Sequence, residues 1–272
     1  MNIIFRKLKA LRNIVVQNFR WQMDSILCRK ELKPKDLLNL DNKRIVVLAP
    51  HSDDEWIGCC GLLTKYPNNV TVINMDMPGG DRDDIHQLRF MEMQNVANEL
   101  GYELITISKN KEEFLRQFMT TNSVEIVMLP CYYDWHDEHF EVMEIFSRAA
   151  EKSKYDGLVG MYQVSFPIPA FMINYASCMQ KNELKKKWRE FKKYYPTQTF
   201  LPTKRFMLNE RINGGLGTEY AIECYSVMHI KSWQIDYICN RLSEDETILL
   251  KSNLNNIAFV RDKLQQKRRN EI

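Results

Sequence analysis

Between Lys43 and Ser165, short apolar runs alternate with segments whose apolar residues recur at helical spacing. KRIVVLAP (43–50), NNVTVINMDM (68–77), ELITIS (103–108), VEIVMLP (124–130) and DGLVGMYQVS (156–165) read as strands. IHQLRFMEMQNVANELGY (85–102), KEEFLRQFMTT (111–121) and EHFEVMEIFSRAAEKS (138–153) read as helices, the first stopped at Gly101. This alternation predicts an α/β fold: a Rossmann-like, mostly parallel sheet with helices on both faces. Ligands of such sheets sit beyond the C-terminal ends of the strands. The loops PHSDDE, after the first strand, and CYYDWHDEH, after the fourth, would then open on one edge. The length of 272 residues suits a single domain, here 43–240, with an N-terminal helical extension (1–42) and a polar, helical C-terminal tail (241–272).

The chain has five histidines, and three of them, His51, His136 and His139, fall in those two loops. His51 and Asp54 stand three residues apart. With His139 they supply two imidazoles and a carboxylate, the donor set of a catalytic zinc site that keeps one open position. Such a position holds a water whose pKa falls to about 7, and Asp53 is the nearest carboxylate for proton work. The competing reading makes Asp53 or Asp54 a helix cap and the histidines surface residues. A cap accounts for one Asp. It does not account for a second, for the preceding His, or for a His-rich loop at the matching end of another strand. His86 and His229 have no partner in the sequence and read as structural.

APHSDDEWIGCCG (49–61) resembles the signature of the PIG-L/LmbE-like N-acetylglucosaminyl deacetylases, and DWHDEH (134–139) resembles their second motif, usually His-Pro-Asp-His after an Asp. RFMEMQNVANELGY (89–102) is similar to the family's Arg-x-x-Glu helix. YYPTQ (194–198) and EYAIE (219–223) are similar to its C-terminal Gln and Glu positions. The resemblance spans about residues 43–225. It implies that His51, Asp54 and His139 hold zinc, that Asp53 is the general base, that His136 stabilises or protonates the reacting centre, and that Arg89 contacts substrate. Asp134 and Trp135 are further candidates on the substrate side, Asp134 also as a residue that orients His136. The implied reaction is zinc-dependent hydrolysis of an N-acetyl group from an amino sugar or sugar conjugate, in glycan or secondary-metabolite assembly. The chain departs from the pattern at Asp137 and Glu138, where Pro-Asp is usual, and at Cys60, where glycine is common. Two other functions fit the same residues: a metal-dependent amidase or esterase on a non-sugar substrate, and a non-catalytic, membrane-peripheral scaffold that retains the fold.

A net charge of +3 does not argue for nucleic acid. The expected partner is a small-molecule, lipid-linked or nucleotide-linked amino sugar. The basic helix NELKKKWREFKKYY (182–195), with Leu184, Trp188, Phe191 and Tyr195 on one stripe, either receives a phosphate-bearing substrate or presents a solvated face. Residues 1–27 carry a stripe of Ile4, Leu8, Leu11, Val15, Phe19 and Met23 amid Arg6, Lys7, Lys9, Arg12 and Arg20. Such a helix docks on its own domain, on a second subunit in a homo-oligomer, or on an anionic membrane surface. Seven scattered cysteines read as free thiols in a reducing cytosol, with Cys59 and Cys60 as small apolar fillers. No apolar run reaches the roughly 18 residues of a membrane span, and no h-region of a signal peptide is visible. The expected location is cytoplasmic, or membrane-peripheral through the N-terminal helix. GGLGTEYAIECYSVM (214–228) reads as a turn followed by a strand.

Overall fold

The computed structural model describes residues 3–27, 36–37, 42–214 and 220–267. In chain order the elements are α1 (Ile3–Leu27), β1 (Asp36–Leu37), β2 (Ile45–Ala49), α2 (Asp54–Lys65), β3 (Val70–Asn74), α3 (Asp83–Leu100), β4 (Glu103–Thr106), α4 (Lys111–Thr121) and β5 (Ile126–Pro130). There follow α5 (Asp137–Ser153), β6 (Leu158–Tyr162), β7 (Tyr175–Gln180), α6 (Lys181–Tyr194), α7 (Thr203–Asn213), β8 (Tyr220–His229), α8 (Ile230–Asn240), α9 (Glu244–Ser252) and α10 (Ile257–Gln266).

Among the described residues, one sheet runs β1-β7-β8-β6-β5-β2-β3-β4. The five strands read from the sequence are β2 to β6, and all pair in parallel. β8 returns antiparallel between β6 and β7. The chain winds outward from β2 in both directions, to β3 and β4 on one side and to β5 and β6 on the other. The switch point of this α/β sheet therefore lies between β2 and β5, where a crevice opens outside the strand ends. The two histidine loops leave those two strands.

The two faces of the sheet carry separate cores, as the two-residue period of a strand requires. Val46 and Leu48 face a layer holding Leu115, Phe146, Trp233 and Val260, from α4, α5, α8 and α10. Ile45, Val47 and Ala49 face α2, α3 and α6 through Trp56, Met93 and Trp188. The expected stripe on α6 is buried as Leu184, Trp188 and Phe191, with Tyr195 just beyond the helix. α2 lies close enough to the sheet that glycine is required within it. A Cβ on Gly58 would stand 2.1 Å from Tyr162 Cδ2, and one on Gly61 2.3 Å from Ser177 Oγ.

α1 packs on α7 and α10. The docked residues are not the expected stripe. Gln17, Trp21 and Asp24, spaced i, i+4, i+7, turn inward. Trp21 joins Leu208, Ile212 and Ile257, and its Nε1 donates to Asn255 O at 2.9 Å. Val15, Phe19 and Met23 of the stripe stay exposed, with Ile14, Val16 and Ile26. Ile4, Leu8 and Leu11 have side chains outside the described set, as does the turn at 215–219. The tail is helical through Gln266. Among the described residues no helix is long and apolar enough to cross a membrane.

Candidate metal centre and active site

The turn after β2 folds on itself. His51 O accepts from Asp53 N at 3.0 Å, and His51 N donates to Asp54 Oδ2 at 2.9 Å. This brings the His51 ring over the start of α2. The loop after β5 delivers His139 from the first turn of α5. Three potential ligand atoms then converge: His51 Nδ1 and Asp54 Oδ2 at 3.1 Å, His139 Nε2 and Asp54 Oδ2 at 3.4 Å, and the two nitrogens at 3.3 Å. A cation held tetrahedrally by imidazole nitrogen and carboxylate oxygen at its usual bond lengths has ligand atoms about 3.3 Å apart. The triangle matches that edge on all three sides, so these residues fit a small divalent metal ion. His136 also lies near, and its ligating atom, with those of His51 and His139, falls within a 4.8 Å group. The tighter triangle includes Asp54 rather than His136.

The outer nitrogens of His51 and His139 are both held. His51 Nε2 lies 2.6 Å from Glu138 Oε2, and the same carboxylate accepts from Gly79 N at 2.9 Å. Gly79 has a φ of +64°, and a Cβ there would stand 3.2 Å from His51 Cδ2. His139 Nδ1 lies 3.1 Å from Asp134 Oδ2, while Asp134 Oδ1 accepts from Trp135 N and His136 N at 2.6 and 3.2 Å. Carboxylates on the outer nitrogens turn His51 Nδ1 and His139 Nε2 toward the centre.

The electrostatics separate the two neighbouring aspartates. Burial raises Asp53, and the charge of Asp54 adds to it, so its pKa is pushed up to about 7. Burial acts on Asp54 too, but the charges and hydrogen bonds of His139 and His51 hold it far below the usual carboxylate range. Burial disfavours charge on His51 and His139, yet the surrounding carboxylates carry the two imidazoles up to about 9 and about 10. Burial lowers His136, and the charges of His51 and His139 lower it further.

All of this opens into a cavity of about 650 Å³. Of the sequence candidates, His51, Asp53, Asp54, Arg89, Trp135, His136 and His139 line it. Arg89 is tied to Asp81 at 2.7 Å. Asp134 is 1% exposed, does not line the cavity, and turns its oxygens to His139 and to the amides of Trp135 and His136. Tyr132 and Tyr133 pack in the core behind the loop. Glu55 is also fully buried and faces away, accepting from Tyr195 Oη. Among the described residues, the basic helix α6 contributes none to the lining of this cavity. Cys59 and Cys60 are buried in the α2 core as expected.

Three residues near or on this cavity had no role assigned from the sequence: Glu138, Gln198 and Arg205. Glu138 was visible only as a departure from a motif. Gln198, in YYPTQ, is 1% exposed, lines the cavity and leaves Nε2 without a partner. Glu92 sets its position by accepting from Thr197 N and Oγ1 at 3.0 and 2.6 Å. Arg205 had no sequence signal.

No family model matches the chain, and no curated protein matches it. Solved structures do. N,N'-diacetylchitobiose deacetylase from Pyrococcus horikoshii matches with a TM-score of 0.51 at 18% identity, over 73% of this chain and 89% of that one. A zinc-inhibited form of teicoplanin deacetylase matches at 0.50 and 11% identity, over 69% and 98%. The A40926 pseudoaglycone deacetylase matches at 0.50 and 14% identity, over 70% and 99%. At these identities the fold is what is shared, and it spans nearly the whole of each neighbour.

Proposed function

We propose that the protein is a zinc-dependent N-deacetylase that hydrolyses the acetamide of an amino sugar or sugar conjugate. The carrying observation is the triangle of His51 Nδ1, Asp54 Oδ2 and His139 Nε2, at 3.1–3.4 Å, with the unligated Asp53 beside it in one cavity. The solved neighbours include deacetylases of a chitobiose and of glycopeptide conjugates, and one of them is a zinc-inhibited form. Bound there, zinc supplies a Lewis acid for the amide carbonyl and for a water. Asp53, unligated beside the three ligand atoms, would be the general base that takes a proton from the attacking water. His136 faces the same space and stabilises the oxyanion or delivers a proton to the leaving nitrogen. Arg89, Trp135 and Gln198 meet the sugar. Products are acetate and a free amine.

Metal content and acetate release test this together. One zinc per chain is expected, with turnover on N-acetylglucosamine glycosides lost to a chelator and restored by zinc. Asp53→Asn should keep the metal and lose about 10²- to 10⁴-fold in kcat. Wild-type turnover by that variant removes Asp53 as the base. A chain that binds no metal, and gains no activity from it, is the scaffold instead. Acyl release from non-sugar amides or esters alone points to the other hydrolase.

In this reading the protein is cytoplasmic and peripheral to an anionic membrane. Its six described cysteines are free thiols. The outer side of α1 exposes Val15, Val16 and Phe19 at 60, 58 and 68% beside the exposed Arg12 and Arg20. Apolar groups flanked by cations suit an anionic lipid surface. Co-sedimentation with phosphatidylglycerol vesicles, lost in Phe19→Ser and at high salt, is the expected result. A concentration-dependent dimer without vesicle binding gives the face to a second copy.

A further inference from the structure

The cavity extends beyond the histidine cluster to walls supplied by α1, α7 and α9. Among the described residues, that end holds positive charge with no carboxylate paired to it. Three cationic side chains are buried among the described residues: Arg89, Lys187 and Arg205. Arg89 lies 2.7 Å from Asp81, and Lys187 lies 2.5 and 2.6 Å from Glu210 and Glu223. Arg205 is 7% exposed and lines the cavity, yet no carboxylate pairs with it among the described residues. Its Nη1 donates to Leu254 O at 3.3 Å, its Cζ lies 5.2 Å from the Phe206 ring centre, and its buried Nε has no partner. An unmatched buried guanidinium is unfavourable, and burial alone brings its pKa down to about 10. Lys251, on the same lining, sits with Nζ 4.1 Å from the ring centre of Trp135, again without a carboxylate partner among the described residues. Trp135 belongs to the metal loop, so this pairing joins the basic end of the cavity to the reacting end.

We infer that Arg205 and Lys251 form a subsite for an anionic group, a carboxylate or a phosphate, carried by the amino-sugar substrate away from its acetamide. A fork of guanidinium donors suits either anion. The inference rests on the deacetylase reading for its substrate, and on the unmatched cations for its charge.

The test compares acetate release from the methyl glycoside, the carboxymethyl glycoside and the 1-phosphate of N-acetylglucosamine. At least one anionic substrate is expected to exceed the neutral one in kcat/KM by about 10- to 100-fold, the range of a charge-assisted contact. Which one does so names the anion. Arg205→Gln should bring the ratio toward parity, and Arg205→Lys should retain part of it. Lys251→Ala, at an exposed position, should lower the ratio in the same direction and carries the test if the Arg205 variants do not fold. No anionic preference in the wild type, or an unchanged ratio in Arg205→Gln and Lys251→Ala, overturns the subsite. If no substrate releases acetate, the deacetylase reading has failed by itself. Calorimetric binding of inorganic phosphate and of N-acetylglucosamine 1-phosphate then decides. Binding weakened at least about tenfold by Arg205→Gln or Lys251→Ala supports the subsite, and no binding by the wild type removes it.

Discussion

Glu138 shows how far a single residue can be read before its neighbours are known. Its Oε2 lies 2.6 Å from His51 Nε2, across 87 residues of sequence. The extra methylene relative to Asp lets it reach that nitrogen while it also accepts from Gly79 N. Holding Nε2 points His51 Nδ1 at the centre. Glu138→Gln should therefore weaken zinc binding about 10- to 100-fold, measured by competition with a chromophoric chelator. An unchanged affinity would detach Glu138 from the site. His51 and Asp54 were legible because three residues of one turn bring them together. His139 was legible only once the strand order put both loops on one edge. Gln198 was visible only as the end of YYPTQ, with no role attached. The roles of Glu138 and Arg205 were not legible, since they depend on contacts between distant loops that leave no local pattern. The pairing of Asp134 with His139 Nδ1 was not legible either, since it needs the ring orientation, which spacing does not contain.

The basic helix α6 fails as a solvated face at one position. Lys187 is 2% exposed, and its ammonium meets Ile57 O, Glu210 and Glu223. Glu223 also accepts from Gly61 N and Tyr225 Oη, while Glu210 accepts from Trp188 Nε1. Two carboxylates share one ammonium. Burial pushes Glu210 up to about 7, against the attraction of Lys187. Lys187→Met leaves both acids unmatched and should destabilise by about 3–5 kcal/mol in urea unfolding. The pH dependence has a definite sign. A carboxyl whose folded pKa is raised stabilises fully below its unfolded value near 4.5, and that contribution is lost as pH rises to about 7. Glu210→Gln should flatten the fall in stability over that window. A slope equal to wild type would mean that Glu210 stays ionised. Periodicity found α3 to α6 and the parallel strands to within a few residues. The strand read in 214–228 is β8, but β7 and the antiparallel pairing of β8 between β6 and β7 were not found, since strand direction within a sheet leaves no local pattern.

Across the whole molecule, the proposed metal joins the ends of β2 and β5, the two strands between which the sheet order reverses. The walls above come from α1, α7 and α9, which the strand–helix alternation gave no reason to bring over that edge. Gln17 and Trp21 from α1 line the same cavity as His51. Zinc binding should therefore stabilise the fold globally, because the site does not survive unfolding. At a free concentration 100 times its dissociation constant, zinc adds about 2.7 kcal/mol. For a domain of this size, each kcal/mol moves Tm by about 2–4 °C, so a rise of about 5–10 °C is expected and a chelator should reverse it. Asp53→Asn should keep the whole shift, since Asp53 lies outside the ligand triangle. His139→Ala should lose most of it, since one edge of the triangle is gone. Equal shifts in the two variants would place the metal away from the β2–β5 edge. A shift lost in Asp53→Asn but kept in His139→Ala would exchange the roles assigned to base and ligand.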